Sequence, residues 1–351
     1  MRCFNALRRS QINNPTTSSD ARLAALRDWI GSIDALADGE LTPASDDASF
    51  RRYFRWQTEA ESFIVMDAPP EKEDCLPFMR VAGYLEAMRL NAPRVIEVNL
   101  DDGFLLLTDL GSQPYLDELR RDADRATSMY ADAIAALLTM QRRGAAFQSS
   151  LPAYDEELLR FELSLFRDWL CDVHLGLPFS SEDEVAWQDC CDALADNALH
   201  QPQVFVHRDY HSRNLMCTRE NNPGILDFQD AVEGPLTYDL VSLLKDCYVR
   251  WPAGQVRQWA LDYYRALDVS LREQVDEMLF RRYFELMGVQ RHLKAAGIFA
   301  RLHHRDGKPA YLADIPRTLS YIVDLGEQYA ELGFLADLVS RQVLPALGRD
   351  Q

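Results

Sequence analysis

The chain has 351 residues, of which 47% are apolar and 26% are charged, so it is long enough to bury two cores and has the composition of an ordinary globular protein. Its formal net charge is −18, and no dense run of Lys and Arg offsets that charge, which argues against nucleic acid or anionic membrane surfaces as partners. We expect a small-molecule partner. The sequence gives no basis for inferring a protein partner.

The cysteines and the N-terminal residues indicate the cellular compartment of the protein. Seven cysteines, an odd number with two of them adjacent, are typical of reduced thiols in the cytoplasm rather than of a disulfide framework. No apolar run approaches the roughly 18 residues of a membrane span, so we expect a cytoplasmic protein. Residues 1–19 contain three Arg and no acid and predict a disordered leader. A transit peptide or a misassigned start remains an alternative.

The predicted elements fall into two groups. ARLAALRDWI has helical apolar spacing and is followed by two or three strands that end at SFIVMD, a helix in LPFMRVAGYLEAMRL, and two further strands in APRVIEVN and GFLLLTDL. From residue 111 the apolar period is helical, and only the runs VFV, LMC and GILDF predict strands. We therefore predict an α+β fold of two lobes with a cleft between them, a small β-rich lobe over 20–110 and a larger helical lobe over 111–351.

Three polar residues follow short apolar runs in VFVHRDYHSRNLM and ILDFQD. Asp209 comes soon after the strand at 204–206 and is therefore presented near a strand end. The runs LMC and GILDF flank the turn-rich TRENNPG and predict a hairpin that brings Asn214 close to Asp227. The oxygens of Asn214 and Asp227 suit Mg²⁺, which also takes phosphate oxygens. Asp209 is left to orient a hydroxyl and accept its proton.

HRDYHSRN has the H-x-D-x-x-x-x-N spacing of a protein-kinase-like catalytic loop, and LDFQD resembles the metal-binding segment that follows it. In these segments the chain resembles aminoglycoside phosphotransferases and choline kinases. The resemblance implies a bilobal protein-kinase-like fold that uses ATP and Mg²⁺, with Asp209 as catalytic base and His207 as the residue that braces the loop. It also implies Asn214 and Asp227 as magnesium ligands, and Asp239 as a structural support that binds the backbone of the loop.

The same resemblance makes the N-terminal lobe the nucleotide-binding lobe and the C-terminal lobe the catalytic and substrate-binding one. LLLTDLG resembles the hinge of the family, where backbone groups of Thr108 and Leu110 would meet the adenine. No G-x-G-x-x-G loop is present, and the turn DASFRRY, which contains Ser49, takes its place. Backbone N–H groups of such a turn can bind phosphate oxygens.

The phosphate-binding lysine of the wider family is missing from its usual strand. The strand that carries the phosphate-binding lysine in kinases reads FIVMD here, with Met66 or Asp67 at that position. Arg51, Arg52 or Lys72 could supply the charge, and the sequence does not choose among them. For Arg51 and Arg52 a solvated strand edge is an equal alternative.

Longer segments narrow the resemblance. ASFRRYFRW, FIVMDAPPEKED and ELMGVQRHLKAAGIFARLHHRDGK, with the segments above, resemble the bacterial N-acetylmuramate/N-acetylglucosamine kinases of peptidoglycan recycling over residues 20–345. This implies a sugar kinase that phosphorylates the anomeric hydroxyl to give a sugar 1-phosphate. The basic residues Arg291, His292 and Lys294 then predict a site for a sugar carboxylate. The alternative for these three residues is a solvated helix face.

Other functions stay open at this point. An aminoglycoside or another amino alcohol as acceptor would suit the net acidity of the chain. A nucleotide-binding pseudokinase or scaffold would explain the missing lysine and glycine loop, but it has no need of Asp209, Asn214 and Asp227 together. A protein kinase is disfavoured because LDFQD runs almost directly into the next predicted helix, without an activation segment.

Overall fold

A computed structural model describes residues 15–33, 36, 38–46, 50–326 and 328–348. The chain divides into two compact units, one formed by residues up to Leu76 with Arg94–Asp109 and the other by Pro77–Pro93 with the residues from Leu110 onward. Most of the predicted leader lies outside the described residues, and so does Ser49. Helix α1 (Pro15–Gly31) begins within the last residues of the leader segment. None of the helices in the described ranges is both long and apolar enough to span a bilayer.

The first unit is an antiparallel sheet with one helix. Its sheet has the order β1-β2-β3-β5-β4, in which the strands are β1 (Glu40–Asp46), β2 (Arg52–Gln57), β3 (Ser62–Asp67), β4 (Val95–Asn99) and β5 (Phe104–Thr108). Apolar residues of α1 and of the sheet form its core, among them Leu26, Ile30, Trp56, Val65 and Phe104. The predicted helix and strands are confirmed here, with three strands before the second helix.

The second unit is mainly helical. Its helices up to residue 306 are α2 (Leu76–Ala87), α3 (Tyr115–Arg121), α4 (Ala126–Gly144), α5 (Glu156–Leu165), α6 (Ser181–Leu199), α7 (Tyr238–Leu244), α8 (Ala253–Ala266), α9 (Val269–Gln274) and α10 (Glu277–Asp306). A π-helical segment, Phe166–His174, continues α5. Helices α11 (Ile315–Val323), α12 (Gly333–Leu338) and α13 (Leu344–Leu347) follow.

Helix α2 buries Phe78, Val81 and Leu85 of the predicted face, and Met88, the residue after the helix, is buried as well. The sequence assigns this helix to the N-terminal lobe, whereas in the structure it groups with the second unit. The ring of Phe78 lies 4.8 Å from that of Phe228. Helix α2 thus packs against the segment that contains Phe228, and chain order does not reveal such a contact.

Two short antiparallel pairs lie within the helical unit. Strands β7 (Leu215–Met216) and β8 (Gly224–Ile225) pair antiparallel, so the predicted hairpin is confirmed. Strand β6 (Gln203–Val206) pairs with β9 (Val232–Pro235). Strand β9 was not predicted, because VEGP combines a charged residue, Gly and Pro, which are all depleted in strands.

Helix α10 organises the packing of the second unit. It spans 30 residues, begins at the N-cap Asp276 and ends before Gly307, which has a φ of 67° and donates its N–H to the His303 carbonyl. This is the left-handed C-cap that favours glycine. Where α10 crosses the end of α5, a Cβ on Gly297 would lie 2.3 Å from the Leu165 carbonyl carbon. The two helices can therefore meet at backbone distance only because residue 297 is glycine.

Candidate active site

Asp239, at the start of α7, fixes the backbone before the candidate base. It is fully buried, and its carboxylate accepts the N–H groups of His207 at 2.7 Å and Arg208 at 2.9 Å. These bonds hold Arg208 at a φ of 78°, in the left-handed region that costs a non-glycine residue energy. Burial raises the pKa of Asp239 to about 7, although the two amide donors favour its ionised form.

His207 braces the loop as a neutral ring. Its side chain is fully buried, and burial lowers the pKa of the imidazole to about 4. At neutral pH its Nδ1 can therefore accept the N–H of Asp209, at 3.2 Å. This contact and those of Asp239 therefore fix three successive N–H groups, those of residues 207, 208 and 209, in the backbone that leads to the Asp209 side chain.

The carboxylate of Asp209 is stabilised by nearby positive charge. Burial by itself would raise its pKa, but Lys294, His211, Arg291 and Arg208 act against burial, and the pKa lies below the ordinary aspartate value. At neutral pH the group is thus ionised and able to accept a proton. A general base needs this protonation state before the reaction begins.

An ion-pair network lies beside the loop that carries Asp209. The buried Glu162 of α5 pairs with Arg208 and, at 2.8 Å, with the ammonium of Lys294. Lys294 also donates to the hydroxyl of Tyr238 at 2.9 Å, and Tyr154 donates to Glu162. Burial would raise the pKa of Glu162, but the charges of Lys294 and Arg208 hold it below its usual value.

The hairpin brings Asn214 and Asp227 together, as the sequence predicts. The amide nitrogen of Asn214 donates to the Asp209 carbonyl at 3.0 Å and to Asp227 Oδ2 at 3.2 Å. Gln229 donates to Asp227 Oδ1 at 2.8 Å, and Asp227 has a φ of 62°. Among the contacts of the described residues the amide oxygen of Asn214 accepts no hydrogen bond, so it is available to a ligand.

Several supporting residues are absent from the sequence predictions. Asp246 is fully buried and accepts the N–H of Ser212 at 3.0 Å as well as its hydroxyl. Glu162 and Gln229 are also missing. A signal existed for the two acids, because ELLRFELSLF and VSLLKDC place an acid inside an apolar helical stripe. Buried acids of this kind are rare unless they are paired.

The basic residues of α10 do not form a solvated face, so that alternative is wrong. Arg291, His292 and Lys294 are 5%, 0% and 8% exposed. His292 stacks on Tyr321 at 4.5 Å, and its Nε2 donates to the Lys245 carbonyl at 2.8 Å. The ring of His292 is thus occupied by a backbone carbonyl and an aromatic side chain, and we do not retain it as a sugar ligand.

Arg291 differs from its neighbours in how its charge is balanced. Its hydrogen-bond contact among the described residues is to Cys247 Sγ, 3.8 Å from a terminal nitrogen, and no carboxylate of the described chain lies within ion-pair distance. Burial opposes the charge of Arg291, but Cys247, Tyr238, Asp209 and Asp246 raise its pKa. The guanidinium is thus charged and nearly buried, without a carboxylate partner from these residues.

In the first unit the candidate phosphate cations have different partners. Asp67 is fully buried and binds Arg22 and Arg52. Arg51 pairs with Glu73 at 3.1 Å. Arg51 and Arg52 therefore do not lie on a solvated strand edge, which was the alternative for both.

The remaining predicted nucleotide contacts are placed as follows. The N–H of Thr108 already donates to the Arg94 carbonyl at 3.0 Å, so it is not free for a base. The side chain of Leu110 packs against Gly224. The ammonium of Lys72 lies over the Phe50 ring, 4.4 Å from its centre.

The second unit thus presents an ionised carboxylate on a braced loop, beside an amide and a second carboxylate on a hairpin. Together with the antiparallel sheet of the first unit, these features define a protein-kinase-like phosphotransferase. The family model described as "Phosphotransferase enzyme family" matches residues 40–278. The chain belongs to this family.

The comparisons with individual relatives extend over most of the chain. It is 46% identical to an N-acetylmuramate/N-acetylglucosamine kinase of Pseudomonas aeruginosa, over 92% of this chain and 97% of the relative. A protein of the same name from Pseudomonas putida is 48% identical over 86% and 88% of the two chains. One from Neisseria meningitidis is 40% identical over 91% and 95%.

Solved structures show the same fold at low sequence identity. The chain matches a wild-type aminoglycoside 2'-phosphotransferase-IIIa in complex with GDP, with a TM-score of 0.59, 12% identity, and coverage of 85% of this chain and 98% of the other. A choline kinase from Streptococcus pneumoniae gives a TM-score of 0.58 at 11% identity, with coverage of 86% and 98%. These neighbours support the protein-kinase-like fold.

Proposed function

We propose that this chain is an ATP-dependent sugar kinase that phosphorylates the anomeric hydroxyl of N-acetylmuramate and N-acetylglucosamine to give the sugar 1-phosphate. One observation carries the proposal: kinases named for these two sugars match the chain at 46% and 48% identity over 92% and 86% of its length. The arrangement around Asp209 supplies the chemistry that such a transfer needs.

In this mechanism Asp209 orients the sugar hydroxyl and accepts its proton. The hydroxyl oxygen forms a bond to the γ-phosphorus of ATP while the bond from that phosphorus to the bridging oxygen breaks, and ADP carries away the electron pair of that bond. Asp209 is ionised beforehand because Lys294 and Arg208 offset its burial. Asp239 and His207 hold its backbone, so little reorganisation is needed when the proton moves.

Asn214 and Asp227 fit the requirements of Mg²⁺. They offer an amide oxygen and a carboxylate, which are hard ligands, and few protein ligands leave room for phosphate oxygens. Asn214 turns its amide nitrogen toward Asp209 and Asp227, which leaves its oxygen for a cation. Bound Mg²⁺ would neutralise the negative charge of the transferring phosphate. We propose these two residues as its protein ligands.

Arg291 is our candidate for the carboxylate of N-acetylmuramate. Its guanidinium is nearly buried and has no carboxylate partner among the described residues, so an anionic substrate group would complete its charge balance. Lys294 is less suited, because Glu162 and Tyr238 already bind its ammonium. N-acetylglucosamine has no such carboxylate, and we propose that it binds without this contact.

For the cation that the strand lacks, we propose Arg51. In protein kinases the phosphate-binding lysine is held by a glutamate, and Arg51 pairs with Glu73 in the same manner. Arg52 is bound to the buried Asp67 instead. With Arg51 as a phosphate ligand, the pseudokinase alternative loses one of the two observations that motivated it, the missing lysine.

The experiment that tests the proposal offers the purified chain MgATP with one acceptor at a time: N-acetylmuramate, N-acetylglucosamine, an aminoglycoside or choline. Phosphorus NMR then identifies the product, and ADP release gives the rate. We expect an anomeric phosphate from the two sugars and no product from the other acceptors. Faster turnover of the aminoglycoside than of the sugars would overturn the proposal in favour of an aminoglycoside phosphotransferase. Nucleotide binding without any product would support a pseudokinase.

A further inference from the structure

We propose a transition-metal site, distinct from the catalytic residues, formed by His174, His303 and His304. One ring nitrogen from each of the three residues lies within 4.8 Å of the others. His174 ends the π-helical segment, and the other two lie in the last turn of α10. The site would tie these two segments together through a bound ion.

The spacing of the nitrogens suits a metal with imidazole ligands. Zn–N bonds of about 2.0–2.1 Å in a tetrahedron put the ligand nitrogens roughly 3.3 Å apart. His174 Nδ1 and His304 Nε2 are already 3.0 Å apart and share a hydrogen bond. The Nδ1 of His303 is buried and has no hydrogen-bond partner in the described part of the chain. Small rotations of the side chains would therefore bring all three onto one ion.

The backbone beneath the cluster is held in place by close packing. Leu165 meets Gly297 at backbone distance. His174, nine residues after Leu165, meets His304, which is seven residues after Gly297. The two segments thus run side by side in the same direction. The π-helical hydrogen bonds place more residues in each turn, which brings His174 level with His304, and such π turns often occur at functional sites.

The ligand set determines which ion fits. Three neutral imidazoles suit Zn²⁺, Ni²⁺ or Cu²⁺, whereas Mg²⁺ prefers oxygen ligands. The exposed position of His304 leaves a fourth ligand position for water, as in zinc sites with three protein ligands. The cluster is therefore expected to bind Zn²⁺ in the presence of the Mg²⁺ that the reaction uses.

The test measures Zn²⁺ binding by calorimetry, in excess Mg²⁺, on the full chain without a polyhistidine tag. Co²⁺ serves as an optical probe, because tetrahedral Co²⁺ absorbs far more strongly than octahedral Co²⁺. The variants are His304→Ala and His174→Ala. His200→Ala is the matched control, because His200 is also an exposed histidine near a helix end, where its Nδ1 contacts the Asp196 carbonyl at 2.7 Å.

We expect one Zn²⁺ per wild-type chain, a rise in melting temperature on binding, and an intense Co²⁺ spectrum. Loss of an outer-shell partner costs about 10- to 100-fold in metal affinity, so loss of a direct ligand in either variant should cost at least about tenfold. His200→Ala should bind as wild type does. Zn²⁺ binding that is absent in wild type, or equally strong in His304→Ala and His174→Ala, would overturn the proposal. Circular dichroism of each variant shows whether it has folded.

Discussion

Replacing Arg291 by Met is expected to affect activity on the two proposed sugars differently. Met keeps much of the side-chain volume, and the variant removes a guanidinium whose hydrogen bond among the described residues is to Cys247 Sγ. A charge-assisted hydrogen bond to a substrate carboxylate is worth about 1.5–3 kcal/mol, which corresponds to a factor of about 10–150. We expect kcat/KM for N-acetylmuramate to fall by this factor relative to kcat/KM for N-acetylglucosamine, as measured by ADP release with each sugar.

The comparison of two sugars within one variant removes effects that both share. Arg291 also lowers the pKa of Asp209, and that loss affects both substrates. Lys294→Met is the matched control, because its ammonium binds Glu162 and Tyr238, so both sugars should lose activity to a similar extent. An Arg291→Met variant that loses the same factor on both sugars would refute the assignment of Arg291 to the carboxylate.

Three further predictions concern the transfer itself. Asp209→Asn should lower kcat by about 10²- to 10⁴-fold with nucleotide binding preserved; a loss of only a few-fold in steady-state turnover would rule Asp209 out as base. Asp227→Ala should abolish Mg²⁺-dependent ATP binding in calorimetry, whereas the same change at the exposed Asp230 should not; unchanged binding in Asp227→Ala would contradict the metal assignment. The pKa of Asp209 lies below its ordinary value, so activity should fall only as pH drops through that low pKa, and Lys294→Met should move this acidic limit of the kcat/KM profile to higher pH. An unmoved limit would show that Lys294 does not stabilise the carboxylate.

The sequence was sufficient for features that depend on neighbouring residues. The alternation of apolar residues predicts two or three strands before the second helix and two after it, and the structure has three and two in one sheet. The turn-rich segment between two apolar runs predicts the hairpin, which the structure confirms. The spacing of Asp209, Asn214 and Asp227 within 19 residues predicts that they lie close together, and Asn214 indeed contacts the other two. A short connecting loop, residues 217–223, between two short strands leaves few other arrangements for such a segment.

The features that were not predicted depend on residues far apart in the chain. Glu162 precedes Arg208 by 46 positions, and the sequence does not show which buried acid meets which buried base. The same reason explains α10, where Arg291, His292 and Lys294 are charged or polar residues on a helix and solvent is the expected setting. Only the packing of α10 against α5 and α7 reveals that they are buried, and that each has different neighbours.

The pairing of Asp67 with two arginines restricts how this chain can change. Asp67 is fully buried and is bound by Arg22 and Arg52, at one of the two positions where the wider family carries a lysine. Asp67→Lys would remove the anion and add a third positive charge to the same enclosed space, a change that buried like charges oppose strongly. A lysine at this position would therefore need compensating changes at the arginines to balance its charge. A single substitution toward the usual family residue is expected to destabilise the sheet rather than to supply a phosphate ligand.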